Sequence, residues 1–194
     1  MLAHAPARPE TKRSDIERAA LHLFVTRGLR GTTVRAIAAR AGVAEGTLYR
    51  HWRSKRDLAR AVYRGCAETV AGDLRRAAAA EASARGKLTA AIRALFRAAR
   101  DEILLYELLV LPPSRDTQNF LGQGASPADV LAGIVAEGQR RREFVPVDSR
   151  LVGECILGAV HRIAIARRLA QYEQQLAAAV LASLTPAARR RTTA

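Results

Sequence analysis

The sequence predicts an all-α protein, and three observations predict it. Forty of its residues are Ala and 29 are Arg, with Leu also abundant, a composition of strong helix formers. Val, Ile and Thr are scattered rather than gathered in runs, which leaves little material for a sandwich, barrel or wound sheet. Apolar residues recur at three- and four-residue spacing along most of the chain, the period of one helix face. About nine helices are expected. Residues 11–58 form a three-helix unit, residues 59–186 a second helical domain, and 1–10 and 187–194 solvated tails.

Each helix has its own signals. Ser14 with Glu17 fits a capping box, followed by the apolar stripe Ile16, Ala19, Ala20, Leu23 and Phe24, and Gly28 stops the helix. Thr32 or Thr33 caps a second helix whose inner face is Val34, Ile37, Ala38 and Ala41. Ala41-Gly42-Val43 is a tight connection to a short third helix, about 44–51, with Leu48 and Trp52 inward. Ser54 with Asp57 caps a fourth, from Lys55 towards Ala80. Beyond it lie the stripe Leu88, Ala91, Ile92, Leu95, Phe96 and Ala99, and an interior helix from Ile103 ended by Pro112-Pro113. Ser126-Pro127 and Asp148 start two more helices, and a last one spans about Tyr172 to Leu184.

Charge and cysteine usage exclude several classes of protein. The formal net charge is +14, and residues 1–65 alone hold 14 basic against five acidic side chains. A local basic excess is the electrostatic footprint of nucleic-acid binding. The two cysteines, Cys66 and Cys155, are too few for a disulfide scaffold and read as small buried hydrophobes. No His or Cys stands at metal-ligand spacing. No phosphate loop or nucleophile elbow is present either. The expectation is therefore no cofactor, no metal, no catalysis, no membrane span or secretory signal, and a cytoplasmic location.

Two helices joined by a short turn containing Gly make a helix-turn-helix pattern. The residues that carry it are Ile37-Ala38, then Ala41-Gly42-Val43, then Gly46-Thr47-Leu48-Tyr49, the aromatic Trp52, and Ser54-Lys55 before Leu58. With the preceding Leu23, Phe24 and Gly28, this run resembles the DNA-binding domain of the tetracycline-repressor (TetR) family over residues 11–65. The resemblance implies a one-component transcriptional regulator, usually a repressor. Such a protein is a homodimer on a palindromic double-stranded DNA operator and is released by a small-molecule effector. It places Thr33 and Arg35 at DNA-touching positions of the second helix. Gly46 and Thr47 fall at the base-facing start of the recognition helix, Tyr49 and His51 at backbone-contacting positions, and Lys55 on a phosphate.

The residue chemistry agrees with that placement. Thr47 and Tyr49 are neutral donors that fix register on phosphates, and Arg35 can read guanine bidentately. Two departures stand out. Ala44 occupies a position where a capping Ser or Thr is frequent in the family. Glu45 either accepts from a cytosine amino group or favours the helix start through the macrodipole. Arg18, Arg27, Arg40, Arg50, Arg53, Arg56 and Arg60 read singly as a solvated face.

The remaining chain offers weaker patterns. Tyr63, Phe96, Tyr106, Leu109 and Phe120, with Arg100 for an anion, are candidate walls of an effector pocket, or else plain core. Val152, Ile156, Ala159, Val160 and Ile163, with Leu176 and Val180, are candidates for a homodimer interface through two C-terminal helices. Gly153 and Gly158 allow close helix approach, whether to a second copy or within one chain. A DNA-binding architectural protein that senses nothing is the alternative function. The length of the second domain, more than dimerisation requires, favours a sensor.

Overall fold

The computed structural model describes residues 9–101, 103–110, 126–166 and 168–186. Nine α-helices and no strand occur among them. The described residues fall into two compact units. The first runs to Cys66 and takes in the chain from Leu104 through Val110; the second takes Ala67–Ile103 and the residues from Ser126 onward. The connection after Val110, including Pro112, Pro113 and Phe120, lies outside the described residues.

In the first unit α1 spans Pro9–Gly31. It begins before Ser14, which therefore lies inside the helix and is not its cap. Proline costs nothing in a first turn, where its missing N–H is a spare donor anyway. Glu17, the expected partner of Ser14, instead pairs with Arg13 at 3.1 Å. Gly28 does interrupt the helical geometry, with φ +70° and ψ 167°, a backbone open to glycine and strained for other residues. Thr32 is buried, its Oγ1 within 3.0 Å of the Leu23 carbonyl oxygen and 2.8 Å of that of Gly28.

The next three helices follow their signals closely. α2 is Val34–Ala41, capped by Thr33, whose side chain accepts from the Ala36 N–H. It ends at Gly42 with φ +67°, ψ 34°. α3 is Glu45–His51. α4 is Lys55–Ala79, with Ser54 Oγ accepting from the Asp57 N–H at 3.1 Å. Ile16, Ala20, Leu23, Phe24, Ile37, Leu48, Trp52 and Leu58 are the core of this unit. In α6, Ile103–Val110, Tyr106 and Leu108 are buried but Ile103 is exposed.

The second unit is built on α5, Ala84–Asp101, whose whole expected stripe is buried. Against it pack α7, Pro127–Arg140, α8, Ser149–Ile165, and α9, Leu169–Leu184. Ser126 and Asp129 make a reciprocal capping box, and Asp148 accepts from two N–H groups at the start of α8. The last helix begins at Leu169, not at Tyr172. The Arg168 N–H bonds back to the Ile163 carbonyl at 3.1 Å, so the turn out of α8 leads directly into α9 without a capping side chain.

The cysteines part company. Cys66 is buried as expected, but Cys155 is exposed. The inward face of α8 is Gly153, Ile156, Val160 and Ala164. Cys155 stands one residue away from Ile156, about 100° around the helix, and so outside.

Lys87 Nζ donates to Glu137 at 2.7 Å, tying α5 to α7. This hydrogen bond holds the Glu137 carboxyl below the ordinary glutamate value, helped by the nearby charges of Lys87 and Arg141 and opposed by desolvation. A carboxyl held deprotonated in the folded chain contributes stability above the unfolded value and loses it as pH falls through the folded one. The urea midpoint should therefore decline on acidification below about pH 4.5. Glu137→Gln should decline less steeply; an equal decline would show that other carboxyls carry the effect.

Candidate nucleic-acid interface

The interface starts from a seven-residue helix held from both sides. Gly42 takes the left-handed conformation that turns the chain between α2 and α3, and the Val43 N–H closes the turn on the Ala38 carbonyl at 3.0 Å. At the other end the Trp52 N–H bonds to the Leu48 carbonyl. Arg13 lies over the Trp52 ring at 5.7 Å, and the His51 and Trp52 ring centroids are 5.4 Å apart. Leu48 and Trp52 anchor the helix in the core as predicted.

That anchoring fixes which residues face out. At about 100° per residue, Glu45, Gly46, Tyr49 and Arg50 share one arc, and all four are exposed. Tyr49 is 58% exposed. His51 is exposed at the helix end. Thr47 is buried at 8% exposure, and its Oγ1 accepts from Arg50 at 3.2 Å. Its position lies between the inward Leu48 and the outward arc, and its hydroxyl holds Arg50. Arg50, expected only as part of a solvated face, is exposed on the same arc as Tyr49.

Lys55 is held by main chain. Its Nζ donates to the Leu29 carbonyl at 2.8 Å and the Thr32 carbonyl at 2.7 Å. Two of its three N–H groups are thus engaged on main chain, and Lys55 pins the end of α1 to the start of α4. On α2, Thr33 and Arg35 are exposed. Ala44 precedes α3 without any side-chain capping bond.

Residues 16–62 match the sequence profile of the bacterial regulatory proteins of the tetR family. Residues 16–62 are a tetR-family domain. Over 98 residues the chain is 34% identical to the HTH-type transcriptional repressor KstR2 of Mycolicibacterium smegmatis, a match covering 50% of this chain and 48% of that protein. The aligned part thus spans about half the length of that curated relative. Two solved structures share the fold over nearly their whole length. One is the transcriptional regulator FadR of Bacillus subtilis in complex with stearoyl-CoA, with TM-score 0.76, 20% identity, and 88% of this chain and 98% of that one covered. The other is the ketosteroid transcriptional regulator KstR2 of Mycobacterium tuberculosis, with TM-score 0.66, 23% identity, and 94% and 97% covered.

Outside the tetR-family domain the candidate residues divide. Phe96 and Tyr106 are buried, and burial pushes the Tyr106 hydroxyl well above the ordinary tyrosine value. Tyr63 is half-buried. Arg100 is exposed and paired with Glu173 at 3.1 Å. The Leu109 side chain and Phe120 lie outside the described residues. An open concavity of about 310 Å³ in the second unit is lined instead by Asp73, Arg76, Arg97 and Asp101 with small alanines between them.

The interface candidates on α8 and α9 divide as well. Ile156 and Val160 are buried within the chain itself. Val152, Ala159, Ile163, Leu176 and Val180 are half-buried. Leu151 and Ile165, at 60% and 57% exposure, are the apolar side chains that α8 presents to solvent. Among the described residues no group of His, Cys, Asp and Glu is arranged to hold a metal ion, and no helix is long and apolar enough to cross a membrane.

Proposed function

We propose that the chain is a DNA-binding transcriptional repressor that acts as a homodimer on a palindromic operator and is released by a small-molecule effector. The observation that carries this reading is the outward arc of Glu45, Gly46, Tyr49 and Arg50 on a helix pinned from behind by Leu48 and Trp52. A rigid helix with a polar outer face, in the more basic part of the chain, suits the major groove. Thr33 and Arg35 on α2, with Tyr49 and His51, are the proposed contacts that position it. The second unit, with Phe96 at its core, is the proposed effector-binding part, and the half-buried apolar side chains of α8 and α9 the proposed dimer contact. The names of the relatives, repressor and regulator, support the assignment, and a cytoplasmic location follows from it.

Selection of bound sequences from a random duplex pool tests the reading. The expected product is two inverted half-sites with centres about 34–36 Å apart. Affinity should fall linearly in log–log terms with salt, as counterions are released from phosphates. Tyr49→Phe should weaken each half-site by about 0.5–1.5 kcal/mol without changing the melting temperature. A variant that melts earlier yet binds normally would place Tyr49 in the fold and not on DNA. Release is tested with a panel of small molecules that includes stearoyl-CoA. Binding with no sequence preference, and no release by any compound, would favour an architectural protein.

A further inference from the structure

We propose that Glu45 is a specificity-determining residue, which reads a cytosine in each operator half-site by accepting a hydrogen bond from its exocyclic amino group. The inference rests on the DNA-binding reading above and adds the base that one position selects.

An acid at the start of this helix can favour the helix through its macrodipole or be offered to a base edge, and no side-chain bond commits it to the helix. The cap residue is Ala44, with no side-chain capping bond. The first-turn N–H of Thr47 goes to the Ala44 carbonyl at 2.9 Å. The Glu45 carboxylate has no hydrogen-bond or ion-pair partner among the described residues. Arg50, the nearby cation on the same arc, is turned to Thr47.

Charge then makes the position costly. Between Gly28 and Arg56 there are seven Lys and Arg, and Glu45 is the one acid. On a face that approaches phosphates, an unpartnered carboxylate weakens binding to every DNA sequence. The loss is offset only where the groove presents a donor. Major-groove donors are the amino groups of cytosine and adenine. Adenine places the acceptor N7 beside its amino group, which repels a carboxylate, whereas cytosine carries no acceptor of its own there. Gly46 follows directly, with open space where a Cβ would stand, so the backbone beside Glu45 is not held away from the base edges.

The test uses the full chain as wild type, Glu45→Gln and Glu45→Ala, each selected against the same random duplex pool. Wild type should prefer cytosine at one position per half-site by at least about 5-fold. Glu45→Gln should move that position to adenine, because an amide matches both its amino group and N7. Glu45→Ala should become indifferent there, leave the other positions unchanged, and bind a non-specific duplex more tightly than wild type does. If both variants keep the wild-type preference at every position and only melt earlier, Glu45 serves the helix start and the inference falls alone. A wild type that selects no sequence would overturn this inference together with the DNA-binding reading.

Discussion

Replacing Gly153 by alanine should destabilise the second unit by about 2 kcal/mol or more, while the same change at Gly158 should stabilise it. A Cβ at Gly153 would fall inside van der Waals contact of the Ala128 carbonyl oxygen and 3.2 Å from the Ala132 nitrogen. Both obstacles are main chain of α7, which cannot rotate away as a side chain can. Overpacking of this kind costs about 1–3 kcal/mol and at times more. The gain of about 0.5–1 kcal/mol from alanine over glycine within a helix offsets only part of it. Gly158 has nothing within 4 Å of the same position, so only the gain remains. Urea unfolding followed by helical circular dichroism should show the two midpoints moving in opposite directions. Equal midpoints would mean that α7 and α8 are free to separate.

Lys55→Ala should unfold the first unit more easily by about 1.5–3 kcal/mol, the range for hydrogen bonds that involve a charged group. The substitution leaves the Leu29 and Thr32 carbonyls without their ammonium partner. At ~4–8 °C per kcal/mol for a unit of this size, the shift is large enough to read by fluorescence of Trp52, the single tryptophan, which is buried in that unit. DNA affinity should fall in step with the unfolded fraction. A variant of unchanged melting temperature with weaker DNA binding would instead make Lys55 a phosphate contact, as its position in the family pattern implies.

Lys55 shows what a sequence can and cannot carry. Local patterns were legible: the caps at Thr33, Ser54, Ser126 and Asp148 lie within three residues of the N–H groups they serve. The stripe of α5 is buried along its length because an eighteen-residue helix repeats its period five times. Contacts set by tertiary structure were not legible. Lys55 meets carbonyls 23 and 26 residues away, and nothing beside it in the chain announces them. Thr47 sits in a helix of seven residues, two turns, too short for its spacing to fix which flank is covered. Ile156 and Val160 have the same apolar chemistry whether they meet α7 or a second chain. Ser14 and Glu17 had the right spacing for a cap, but the helix starts earlier, at Pro9, and leaves Ser14 inside it.

The divided fate of the two thiols has a practical consequence. With Cys66 buried and Cys155 exposed, a bulky maleimide or methanethiosulfonate reagent should attach at one position without any mutagenesis. That position stands on α8, on the same outward face as Leu151. A nitroxide there would report self-association directly, because two labels brought together across a symmetric pair of helices broaden each other's spectrum. Titrating operator or a candidate inducer into the labelled protein would then record, in one sample, whether the pair stays together and whether its spacing changes.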